Sequence, residues 1–592
     1  MKSPKMKSTS NSFPRVLLLL GAVLGLSLVA MVVVVLLLGG GRVPEGAVLV
    51  VDFDLPLSEG GGAPSPMSAI LGQVAQPLAA HEAARAVRHA GTDERICAIL
   101  IRGGASGSLG ALDQVRSALR DARAAGKPVY AAPGSADEAT LWLGSAAGEI
   151  WLEPLGGVEF DGWAAEIPYF AEALERYGID VQVTRVGKYK SAVEPFLLDN
   201  MSAENREQMD AVLAAIERKL LGELADARGR DFETLAAWTR ERGYFGADEA
   251  LELGLVDKVA PYHELLDVLR GHGGADAGEP LAQVSLLDYA RSTFEEPDSG
   301  PGVAVVVADG EIVDGASLEG IGGDDLAREL RAAREDEDVR AVVLRVDSPG
   351  GSATASDVIR AEILALRAAG KPVVVSMGAL AASGGYWISA DADHIVAQPE
   401  TLTGSIGVFG LLPSFQTLAE RHGLRTQTVR TSPLAGIEST WLRKDPAQLA
   451  LVQAIVDDIY TRFVDLVAVG RDMPREQVEE VAQGRVWTGA QALELGLVDE
   501  LGGLDRAIER ARERASLGDD APVRFARDEP DWIELLVEEA LRGEPGELAR
   551  GLGDPLEALA PLVQAAEHMT RLERLAGPRR VIARLPFEFD LR

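Results

Sequence analysis

A single cysteine, Cys97, stands in 592 residues. That excludes an internal disulfide framework and any cysteine-based zinc site. Lying in the apolar run 96–101, Cys97 reads as a small buried residue. Histidines number seven and build no HExxH and no carboxylate–histidine cluster, so no metal is expected. GxGxxG and P-loop Gly-Lys-Ser/Thr motifs are also missing, and no cofactor is expected. Basic residues are scarce: 58 Lys and Arg stand against 91 Asp and Glu, a net charge of −33. Nucleic acid is a poor partner for such a chain, and the excess carboxylates read as a solvated surface. With 47% hydrophobic and 25% charged residues the chain is globular, and its length implies several domains.

What the chain does have begins at its N-terminus. Val16 to Leu38 carries no charge and is long enough, at roughly 34 Å of helix, to span a bilayer. Lys2, Lys5, Lys7 and Arg15 precede it and only Arg42 follows closely. The positive-inside rule puts residues 1–15 in the cytoplasm and everything after residue 44 on the far side. A cleaved signal peptide is the competing reading, but its apolar core is usually about 7–15 residues. An anchored, exported protein is expected.

Beyond the anchor the sequence repeats itself. Ala124-Ala125-Gly126-Lys127-Pro128-Val129 returns at 368–373, ALELGLVD at 250–257 returns at 492–499, and Glu149–Pro154 has a looser partner in His394–Pro399. These collinear matches define two copies, 45–270 and 301–515, with a linker 271–300 and an unrepeated tail 516–592. Residues 58–68 are a Gly- and Pro-rich loop, and 555–575 reads as an amphipathic helix. Within each copy short Val/Ile/Leu runs alternate with helical patterns. In the second copy strands are expected at 303–307, 341–346 and 372–375, with helices at 324–335 and 355–369. The fold class is α/β with buried parallel sheets, in tandem duplicate.

The chemistry-bearing stretch is Ala381-Ala382-Ser383-Gly384-Gly385-Tyr386-Trp387. A serine at a strand-to-helix turn holds its hydroxyl out of the fold, where the following helix adds N–H groups and a positive dipole end. An ordinary helix cap would look the same. In the first copy the matching position falls at Glu138 or Ala139, with no Ser-Gly-Gly. Conversely the first copy holds Gly187-Lys188-Tyr189-Lys190-Ser191-Ala192, while the matching part of the second has no lysine. Each half therefore has a group the other lacks, which fits a site assembled from both. A lysine activates a serine only when neutral, so burial must lower its pKa. Lys188 and Lys190 both qualify, and if the loop continues the preceding strand both point the same way. Asp347-Ser348-Pro349-Gly350-Gly351-Ser352 is a candidate oxyanion hole. For a Ser–His–Asp triad, His394 and His422 are the nearest downstream histidines, and neither sits in a motif.

Taken together, ASGGYWIS, TLTGSIGVFG, SPGGS and the first-half GKYKSAVEPF resemble the signal peptide peptidase A (protease IV) family in its long, duplicated form. The resemblance implies the crotonase/Clp-protease-like α/β superfamily, a Ser–Lys dyad, and a homotetramer facing the periplasm from the bacterial inner membrane. It also implies peptide substrates, chiefly cleaved signal peptides. By motif, Ser383 becomes the nucleophile and Lys190 the general base, Gly350 and Gly384 the oxyanion donors, and Ser405 a lysine-orienting serine. A crotonase-type acyl-CoA enzyme and a catalytically silent membrane scaffold are the rival readings.

Overall fold

Short Val/Ile/Leu runs become strands buried on both faces. In this computed structural model the structure describes residues 43–53, 57–60, 78–274, 279–293, 300–317, 320–526 and 582–584. The expected membrane segment 16–38, most of the 58–68 loop and the helix 555–575 lie outside the described residues. No helix among the described residues is long and apolar enough to cross a membrane.

The first half contributes β1 (Ala47–Asp52), β2 (Ile96–Arg102), β3 (Val129–Ala132), β4 (Glu149–Leu152), β5 (Asp180–Val186), β6 (Lys258–Val259) and β7 (Gln283–Ser285). All but β5 form one parallel sheet in the order β6-β4-β3-β2-β1-β7. The second half contributes β8 (Gly302–Asp309), β9 (Val339–Ser348), β10 (Gly350–Ser352), β11 (Val373–Ala382), β12 (His394–Ala397), β13 (Leu402–Gly404), β14 (Val408–Ser414), β15 (Val486–Thr488), β16 (Glu500–Leu501), β17 (Val523–Phe525) and β18 (Ile582–Arg584). Its core sheet runs β16-β12-β11-β9-β8-β17, again parallel and in the same order. Here β13 joins the far end of β11 and pairs antiparallel with β15.

The repeated peptides have structural reasons. In AAGKPV the glycine leaves the helix left-handed, at φ 96 for Gly126 and 79 for Gly370, which costs glycine no Cβ clash. The following lysine ties back to backbone carbonyls: Lys127 Nζ donates to Asp93 O, and Lys371 Nζ to Ala333 O. In ALELGLVD the aspartate accepts a strand N–H, from Ile150 to Asp257 at 2.7 Å and from Ile395 to Asp499 at 2.8 Å.

Two boundaries are corrected. Residues 283–293, read as linker, belong to the first sheet. There β7 covers the edge of β1, and the helix Leu286–Thr293 buries Tyr289 completely. An open edge strand invites pairing, and Val284 with Tyr289 supplies the apolar cover. Likewise β17, in the unrepeated tail, covers β8. Cys97 is half-buried rather than buried.

A third sheet joins the halves. It runs 321–322, 312–313, β10, β18, β14, β5. Strand β5 of the first half pairs antiparallel with β14 of the second, from Val186↔Val408 to Asp180↔Ser414. This pairing carries the end of β5, and the lysine loop after it, into the second half.

Candidate active site

The last residue of β11 is Ala382, and the helix Gly384–Trp387 starts two residues on. Between them Ser383 adopts φ 58 and ψ −113, a conformation that costs a non-glycine residue about 1–3 kcal/mol. Backbone bonds hold it there: Ser383 N donates to Gly404 O and Trp387 N donates to Ser383 O, both at 2.8 Å. The turn is tight enough that a Cβ on Gly385 would come within 2.8 Å of Ser348 O. The Ser383 hydroxyl caps no helix N–H. It lies 2.6 Å from Lys190 Nζ.

After β5 the chain turns at Gly187, φ 108, so Lys188 and Lys190 do not share a side. Lys188 is exposed, its ammonium 5.0 Å from the centre of the Tyr189 ring. Lys190 is fully buried, and burial alone pushes its amine well below the usual lysine range. Besides Ser383, its Nζ reaches Ser405 O at 3.0 Å and Ser405 Oγ at 3.1 Å. Ser405 has a φ of 51, and its N–H donates to Arg485 O at 2.7 Å. The lysine backbone packs so closely on Gly484 that a Cβ there would meet Lys190 N at 2.7 Å.

Gly350 and Gly384 also come together. A Cβ on Gly384 would lie 3.1 Å from both Gly350 Cα and Gly351 N. The Gly350 N–H donates to Ser348 Oγ at 3.2 Å, whereas Gly384 opens a helix, where first-turn N–H groups lack intrahelical partners. The tail strand β18 lies antiparallel to Gly350–Ser352 and touches β14 at Phe409↔Ile582. The two histidines nearest downstream are elsewhere: His394 bonds Glu500 at 3.1 Å, and His422 is exposed at a helix end. In the first half the place of Ser383 is taken by a plain helix start, with Asp137 accepting from Thr140 N. Glu138 beside it is pushed up to about 7 by burial.

Sequence reasoning missed Gln208. This fully buried side chain, on the helix Ala203–Arg228, donates from Nε2 to Ser191 Oγ at 2.8 Å and to Tyr189 O at 3.3 Å. Its Oε1 accepts from Val486 N on β15 at 3.3 Å. One carboxamide thus bolts both flanks of Lys190 to the strand beside Ser405. A glutamine on a helix carries no sequence signal of that role. A buried trio was missed as well. Glu59 grips Arg345 at 2.6 and 3.1 Å, and Arg345 donates to Ser376 Oγ and Met377 O on β11. Asp347 accepts from Leu380 N at 2.8 Å, and burial holds its carboxyl well above the usual range. Among the described residues no group of His, Cys, Asp and Glu is arranged to hold a metal.

This geometry can perform acyl transfer, and the comparisons point the same way. Residues 121–275 and 365–518 each match Peptidase family S49, one copy per half. Protease 4 of Salmonella typhi is 38% identical over 494 residues, covering 81% of this chain and 79% of that protein. Protease 4 of Haemophilus influenzae is 35% identical over 490 residues, covering 80% and 78%. The chloroplastic serine protease SPPA of Arabidopsis thaliana is 32% identical over 419 residues, covering 69% and 61%. The acyl-CoA and scaffold readings thereby lose their ground. The chain belongs to peptidase family S49 in the long form that carries the domain twice, the signal peptide peptidase A type, and is a serine peptidase.

Proposed function

We propose that the chain is a membrane-anchored endopeptidase that cuts extended peptides, cleaved signal peptides among them, with Ser383 as nucleophile and Lys190 as general base. The single observation that carries this is the 2.6 Å approach of Lys190 Nζ to Ser383 Oγ inside a fully buried pair. A neutral amine has two hydrogens and one lone pair. Ser405 O and Oγ lie where the hydrogens can be spent, leaving the lone pair for the serine proton. Ser383 Oγ attacks the peptide carbonyl as Lys190 takes that proton. The oxyanion is met by N–H groups of Gly384 and, once released from Ser348, of Gly350. Lys190 then protonates the leaving amine, and water, deprotonated by the same lysine, hydrolyses the acyl-serine.

The slot that β18 fills beside β10 and β14 is suited to an extended peptide that adds to the sheet. The periplasmic side of the bacterial inner membrane, single-pass anchoring through 16–38 and assembly as a homotetramer complete the reading. The test is hydrolysis of a quenched fluorescent peptide by the full chain in detergent. Ser383→Ala and Lys190→Ala should each lose at least about 10³-fold in kcat, while Lys188→Ala should keep its rate. Full activity in either of the first two would sink the dyad.

A further inference from the structure

Lys190 and Ser383 come from different halves, and one side chain stands between the groups that support them. Arg485 follows Gln483-Gly484, the turn packed on the lysine loop, and leads into β15. Its guanidinium lies over two aromatic rings, 4.8 Å from the centre of Tyr189 and 4.2 Å from that of Trp487. Tyr189 immediately precedes Lys190 in the first half, and its N–H donates to Gln483 O at 2.9 Å. Trp487 lies on β15 of the second half, where its indole N–H donates to Val481 O at 2.8 Å. Its ring is so close to Gly404 that a Cβ there would come within 2.9 Å of it. Gly404 O is the acceptor that holds Ser383 N.

Polar bonds fix the guanidinium in that place. Its Nη1 donates to the Tyr189 hydroxyl at 3.2 Å, its Nη2 pairs with Glu207 Oε1 at 2.9 Å, and the Tyr189 hydroxyl donates to Glu207 Oε2 at 3.1 Å. The main chain of the same residue accepts from Ser405 N at 2.7 Å. A planar guanidinium can stack and donate at once, which suits it to this bridge. The plainer reading is a surface ion pair, since the side chains of Arg485 and Glu207 are 24% and 53% exposed, and such pairs add little stability. The first half shows that plain form. By the spacing of the ALELGLVD repeat Phe245 stands where Trp487 does. Arg242 stacks on it at 5.0 Å but pairs with Glu249 of its own half at 2.6 Å.

We propose that Arg485 is a positioning residue, which fixes the approach of Lys190 to Ser383 by bridging Tyr189 of one half to Trp487 of the other. The proposal rests on the dyad reading and adds to it the group that sets its spacing. Arg485 acts through the two rings rather than on the reacting atoms, so its effect falls on turnover and not on substrate binding. A misplacement of about 1 Å in a reacting group can cost roughly 10²-fold in rate.

The test measures kcat and KM for a quenched fluorescent peptide with the full chain in detergent. Arg485→Met should lower kcat about 10- to 100-fold, with KM and melting temperature almost unchanged. Arg485→Lys keeps a cation over the rings and should recover most of that rate. Tyr189→Leu should cost as much as Arg485→Met, and the double variant no more than the worse single one, because both act through one contact. The positioning role is overturned by full kcat in Arg485→Met, by a loss confined to KM, by a lysine variant no better than the methionine one, or by additive losses. If Arg485→Met does not fold, Glu207→Gln should still lower kcat severalfold, and an unchanged kcat there overturns the role. Lys190→Ala separates the two readings. Full activity in that variant sinks the dyad and this role with it, whereas an inactive Lys190→Ala beside a fully active Arg485→Met sinks this role alone.

Discussion

Burying an amine with two serines for company costs stability, and the cost depends on pH. The folded pKa of Lys190 is depressed below its unfolded value. Above the unfolded value of about 10.4 both states are neutral and nothing is lost; as pH falls towards the folded pKa, the unfolded chain gains a proton the native one refuses. Lys190→Met should therefore raise the melting temperature at neutral pH and lose that advantage near pH 11, read by thermal denaturation. Under the proposed mechanism activity also rises with pH, as Lys190 loses its proton. Gln208 tests this at one remove. Gln208→Glu places a carboxylate against the lysine loop, raises the Lys190 pKa and should move the acid limb of kcat/KM to higher pH. Gln208→Met should lower kcat without moving the limb. Ser383 was legible as a serine at a turn, but its difference from a cap lies in ψ and in a lysine 193 residues away, neither of which is local. Lys190 and Lys188 were inseparable because the turn at Gly187, and not the strand period, decides which one is buried.

Among elements, the turns around the dyad carry most of the strain. Five described non-glycine residues have positive φ, and Ser383, Ser405 and Gln483 are three of them. Gln483 O accepts from Tyr189 N at 2.9 Å, so all three lie on the backbone that grips Lys190 and Ser383. Strain of this kind persists only where the surroundings over-determine it. The Glu59–Arg345 pair is one such constraint, fully buried and clamping β11 from the other half. Glu59→Gln leaves the Arg345 charge without its partner and should cost about 3–5 kcal/mol in urea denaturation, whereas adding Arg345→Met should recover most of it. Helices of the second copy were legible to within two residues, for example 324–335 against Gly323–Glu335, whereas the strand expected at 372–375 runs on to Ala382. Glu59 was not. Its loop reads only as Gly- and Pro-rich, and its partner is 286 residues on.

At the scale of the molecule, the duplication was legible because the repeated peptides do the same structural work twice, whereas the sheet that joins the halves depends on a pairing no local pattern announces. In this structure Ser383 and Lys190, the proposed dyad, meet within one chain. Lys190→Ala mixed with Ser383→Ala should therefore restore no peptide hydrolysis, even after co-expression; recovery would mean that sites form between copies. The separation of the dyad also sets a clock. Lys190 emerges during synthesis before Ser383, and the 193 residues between them take roughly 10–40 s to make at ordinary rates of elongation. Through that interval the nascent chain holds only half of what the proposed cleavage requires. A protease divided in this way is harmless to itself until the last part of its own fold is in place.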